Sequence, residues 1–103
     1  MSDQQPGSEK SVLEKEKAEL PPRKYNVVFY NDDFTPFYVV EYILMNFYNI
    51  TKEESHALAT KIHNEGQSIV GTYPQDLAQL KYDMTIALVT KLDVMLYIQI
   101  LPE

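Results

Sequence analysis

The segment NDDFTPFYVVEYIL, Asn31 to Leu44, sets an amide and two carboxylates in three successive positions between an apolar run and a helical pattern. Paired carboxylates can act as acid and base. That needs both side chains on one reacting atom, and successive side chains in extended backbone diverge. Two uses of Asn31, Asp32 and Asp33 remain. One is a turn, because Asn and Asp bond their own backbone in tight loops. The other is an anionic rim. With Phe34, Phe37 and Tyr38 beside it, such a rim suits a ligand that joins a cation to an apolar side chain. The α-amino end of a peptide with a large first residue has that layout.

The other residue types capable of chemistry are few. His56 and His63 are seven residues apart, two helical turns and about 10 Å along the axis. One metal ion needs both ligand nitrogens at about 2 Å, so the pair cannot share one. His63 by itself reads as a polar residue near a helix end. Ser55 precedes His56, but neighbouring helical residues do not face each other. There is no cysteine, which removes disulfides, thiolate metal sites and cysteine nucleophiles together. Three glycines build no phosphate cradle, and no G-x-S-x-G elbow is present. The expectation is a protein that is not an enzyme and carries no metal and no cofactor.

Composition narrows the class further. A chain of 103 residues with 45% hydrophobic content supports one small domain with a single core. A formal net charge of −6 argues against a nucleic-acid binder, which needs clustered Lys and Arg on phosphates. No apolar run reaches the roughly 18 residues of a membrane span, and the first residues lack the layout of a signal peptide. A cytoplasmic monomer, with neither membrane nor nucleic-acid partner, is expected.

These residues need elements to hold them. Residues 1–22 are polar, with Val12, Leu13 and Leu20 as their sizeable apolar side chains, and read as a mobile extension ended by Pro21-Pro22. The folded domain is expected over 23–103. KYNVVFY, Lys24 to Tyr30, reads as a central strand. Thr35-Pro36 reads as a helix start with Thr35 as cap, followed by a buried face of Phe37, Val40, Leu44 and Phe47. Thr51 to Glu54 has the Thr-x-x-Glu pattern of a capping box and opens a second helix that Gly66 stops. A short strand lies within Gln67 to Tyr73. Pro74 begins a third helix, whose Leu77, Leu80, Met84, Ala87 and Leu88 read as its stripe. MLYIQIL, Met95 to Leu101, is the last strand, with Leu96, Ile98 and Ile100 on one side. The order β-α-α-β-α-β with the first strand central predicts an α+β, two-layer domain. Its three-stranded antiparallel sheet would carry three helices on one face.

VVFYNDDFTPFYVV, then KIHNEGQSIVGTY, then DLAQLKYDM together resemble the ClpS family, adaptors of the Clp protease that recognise N-degrons. The resemblance runs from about Pro22 to the C-terminus. It implies that Asn31, Asp32 and His63 hydrogen-bond the α-amino group and first peptide unit of a substrate, with Asp33 and Thr35 shaping the loop. It implies a pocket for a large hydrophobic first residue lined by Phe37, Val40, Ala59, Ile62 and Leu96. Phe37 and Ala59 stand where the family often has methionine. Asp76 and Lys81 match positions that dock on the N-terminal domain of the Clp AAA+ unfoldase, ClpA-like or ClpC-like, with Asp76 in place of the usual Glu. The implied function is delivery of N-degron peptides and proteins to that unfoldase. Two other readings share the fold: a module of an N-degron ubiquitin ligase, and a stalk-like protein interaction domain with no use for an amine site.

Overall fold

The computed structural model describes residues 23–103. The expectations for residues 1–22 fall outside these described residues. Strand β1 (Lys24–Tyr30) pairs antiparallel with β2 (Gln67–Pro74) on one side and β3 (Tyr97–Pro102) on the other, giving the order β2-β1-β3. β1 is central because its middle is apolar on both sides: Val27, Val28 and Phe29 are all buried, and Val27 and Phe29 belong to the core. Burying each such side chain contributes about 1.5–3 kcal/mol. Leu96 and Ile98 join them from the third strand and the residue before it, with Ile100 partly covered. On the β2 side, Val27 faces Gly71 and Val28 faces Ile69, which leaves Val70 as the extra residue of a bulge. Gly71 makes room there for the Tyr73 ring, which a Cβ would displace.

Helices α1 (Phe37–Phe47), α2 (Lys52–Glu65) and α3 (Gln75–Leu92) complete the α+β domain in the expected chain order. Thr51 caps α2 by accepting the Glu54 N–H at 3.2 Å, and Gly66 closes it in the left-handed region at φ 91°.

Three local expectations are corrected. Thr35 does not cap α1: Pro36 holds that position without a side-chain bond, and the Thr35 hydroxyl goes to Asp32. The cap position falls one residue later than expected, and the Thr35 O–H is used as a donor to the stronger, charged acceptor within the loop. The buried face of α1 is Val40, Ile43 and Leu44, with Phe47 partly covered and Phe37 at the exposed margin. On α3 the apolar stripe is rotated. Ala78, Thr85 and Val89 are buried, whereas Leu77, Leu80 and Met84 are exposed. α3 crosses all three strands, and small side chains let its backbone approach them.

Thr85 tolerates burial because it is fully bonded. Its hydroxyl donates to the Lys81 carbonyl at 2.7 Å and shares a 2.7 Å bond with the Tyr48 hydroxyl at the end of α1. Burial pushes the Tyr48 phenol up to about 12; the Thr85 bond lowers it and nearby Tyr73 raises it, both by less. The Lys81 ammonium donates to the Phe47 carbonyl at 2.5 Å and lies 5.7 Å from the Tyr73 ring centre. It thereby caps α1, where a cation also meets the negative end of the helix dipole.

Candidate functional site

The loop between β1 and α1 is ordered by two side-chain bonds and two backbone bonds. Thr35 Oγ1 donates to Asp32 Oδ2 at 2.5 Å, and the Thr35 N–H donates to the Asp32 carbonyl at 3.3 Å. Asn31 Nδ2 donates to Asp33 Oδ1 at 3.2 Å. The two carboxylates therefore have separate tasks. Asp33 turns the Asn31 amide so that its Oδ1 is the end presented as an acceptor. Asp32 is held by one oxygen on buried Thr35 and presents the other. An ammonium is a donor with no acceptor of its own, so two fixed oxygen acceptors are what it needs.

The Asn31 N–H donates to the Gly66 carbonyl at 2.8 Å. This bond ties the acidic loop to the end of α2, three residues beyond His63. Among the described residues the aromatic partner of His63 is Phe37, edge-on at a centroid distance of 5.5 Å and an interplanar angle of 68°. Phe37 is 38% exposed and Phe34 81% exposed, so aromatic surface borders the loop. Of the other predicted pocket residues, Val40, Ala59, Ile62 and Leu96 are all buried in the single core cluster. They come from three places: Val40 on α1, Ala59 and Ile62 on α2, and Leu96 just before β3. A bond from His56 Nδ1 to Glu41 Oε2, 2.6 Å, joins the same two helices on the surface. No sequence signal pointed to it, since the partners lie on different elements.

An apolar concavity lies elsewhere. It is a groove of about 520 Å³ lined by Tyr38, Val39, Tyr42, Leu88 and Leu92. It offers no carboxylate and none of the predicted pocket residues. Asp76 sits exposed in the first turn of α3, while Lys81 is half-buried against α1. Among the described residues there is no group of three side chains able to hold a metal ion, and no helix long and apolar enough to cross a membrane.

Residues 20–91 match the family model described as ATP-dependent Clp protease adaptor protein ClpS. The chain belongs to the ClpS family. Curated relatives agree. The ATP-dependent Clp protease adapter protein ClpS of Vibrio atlanticus is 43% identical over 77 residues, covering 74% of this chain and 71% of that protein. The protein of the same name from Nitrosomonas eutropha is 46% identical over 72 residues, covering 69% and 70%. These ClpS relatives are named as adapters, not as enzymes. Among solved structures, Agrobacterium tumefaciens ClpS2 bound to L-phenylalaninamide superposes with a TM-score of 0.77 at 24% identity. It covers 81% of this chain and all of that one, and shows that the ClpS fold is shared.

Proposed function

We propose that this ClpS-family chain binds the free α-amino group and large hydrophobic first residue of N-degron substrates and hands them to a Clp AAA+ unfoldase. The observation that carries the reading is the fixed acceptor pair, Asp32 on Thr35 and Asn31 on Asp33, tethered through Gly66 to the helix end that bears His63. The ligand of the Agrobacterium protein has matching chemistry. L-Phenylalaninamide joins an α-ammonium and an aromatic side chain to a carboxamide that stands in for a first peptide unit. In this chain Asn31, Asp32 and His63 take the ammonium and that unit, and the side chain enters between Phe37, Val40, Ala59, Ile62 and Leu96. Asp33 and Thr35 hold the loop.

Delivery falls to a second surface. Asp76, with Lys81 behind it, faces the N-terminal domain of the unfoldase, and residues 1–22 act in hand-off without contributing to the amine site. Small Ala59 and bulky Phe37 favour Phe and Tyr over Leu as first residue, because a wider pocket leaves Leu under-packed. A competition series of peptides differing only in residue one checks this, and a clear preference for Leu would count against it.

The deciding test compares one Phe-led peptide with its acetylated form. Neutralising the amine should cost at least tenfold in affinity, by loss of charge-assisted bonds. Equal binding of the two forms would instead support a plain interaction domain with no amine site.

A further inference from the structure

A histidine that hydrogen-bonds a ligand must present one ring nitrogen in a fixed direction. Binding-site histidines usually achieve this by donating from the other nitrogen to a carbonyl or carboxylate. His63 is exposed, and no hydrogen bond to its ring is formed by any described residue. An exposed side chain in the last turn of a helix otherwise samples several rotamers. What stands against this ring is Phe37, in the edge-to-face geometry that aromatic pairs prefer.

Phe37 is itself well placed to hold still. It is the first residue of α1, directly after Pro36, whose φ of −63° is fixed by its ring, and the helix behind it is buried through Val40, Ile43 and Leu44. The α2 side is equally fixed, by the left-handed Gly66 cap and its bond from Asn31. Two rigid elements therefore meet at one aromatic contact.

We propose that Phe37 is the positioning residue for His63, fixing the imidazole by edge-to-face packing where other sites use a hydrogen bond. Recognition of the substrate's backbone then runs through Phe37 as well as the fit of the first side chain. This rests on the amine-site reading above and adds to it a distinct role for one residue.

A double-mutant cycle on the full chain tests it, with Phe37→Leu, His63→Ala and the pair, each titrated with one Leu-led peptide and its acetylated form. Phe37→Leu should weaken free-amine binding about two- to tenfold, the range of an aromatic pair. In the His63→Ala background the same change should cost at least about twofold less than in wild type, what remains being its fit to the first side chain. Phe37→Tyr keeps the edge contact and should bind within about twofold of wild type. In NMR spectra of the wild-type protein, ring protons of His63 should show cross-relaxation with Phe37 and a ring-current shift that Phe37→Leu abolishes. Losses that multiply across the cycle, or absence of that cross-relaxation, would overturn the proposal and leave Phe37 a wall of the pocket. No loss in His63→Ala would overturn it too, since no positioned ring would be in use, whereas equal binding of the free and acetylated peptides by the wild type would remove the amine-site reading and the positioning role with it.

Discussion

Asp32 is where binding and folding can be separated by two substitutions. Its carboxylate accepts the Thr35 hydroxyl at 2.5 Å, and Thr35 is buried. Asp32→Ala removes the proposed ammonium acceptor and also strands that hydroxyl away from water. An unsatisfied buried hydroxyl costs about 1–3 kcal/mol, which lowers the melting temperature of a domain this size by roughly 4–20 °C. Asp32→Asn keeps an oxygen for Thr35 and removes only the charge. Its melting temperature should stay within about 3 °C of wild type. Both variants lose a charge-assisted bond to the amine, about 1.5–3 kcal/mol, or roughly ten- to over a hundredfold in affinity. Fluorescence anisotropy with a labelled Phe-led peptide, beside thermal denaturation, reads the two effects separately. Wild-type affinity in a folded Asp32→Asn protein would refute the role in amine binding. Equal melting of Asp32→Ala and wild type would refute the view that the Thr35 bond shapes the loop.

Further outcomes follow from single features. The Tyr48 phenol titrates near 12 in the folded state and near 10 when unfolded, so the unfolded chain loses its proton first. Stability is complete below pH 10 and falls between pH 10 and 12, by about 1–3 kcal/mol. Urea titrations across that window should show the fall, and Tyr48→Phe should flatten it; a slope unchanged by the substitution would clear Tyr48 of the effect. Gly66→Ala meets open space but keeps φ at 91°, so its cost is backbone strain of about 1–2 kcal/mol. Gly66→Asn, which tolerates that region better, should recover part of it in the same denaturation assay. Deleting residues 1–22 should leave peptide affinity within about twofold yet impair degradation of a bound substrate by the partner protease. Full turnover by the truncated protein would make that segment a passive leader.

Much of the architecture was legible because local signals agreed. The β-branched and aromatic run of β1, the Thr51 box and the Gly66 stop each point to one local structure, and chain order then leaves β1 in the middle. α3 was misread for the opposite reason. It carries apolar residues around most of its circumference, so spacing alone cannot choose the buried side. The choice is made by how closely the helix must approach the sheet, which favours Ala78 and Thr85 over Leu80 and Met84. Burying Thr85 further requires Tyr48, 37 residues away, and sequence does not announce that pairing.

The site divides along the same line. Asn31, Asp32, Asp33 and Thr35 lie within one loop, so their residue types already limited what they do together. His63 and Gly66 enter from a different helix, and the two contacts that join them to the loop and to α1 span more than 20 residues each. Such contacts depend on packing, which fixes distances that a one-dimensional pattern leaves open. Phe37 shows the consequence. Read as the start of a buried helical stripe, it is a core residue. Placed after Pro36 at the exposed margin of α1, it is 38% exposed and its edge contact is with His63. A side chain there stabilises the core little. What it can do is hold a neighbour's ring in one orientation, which is why substitutions at Phe37 should register in binding before they register in melting.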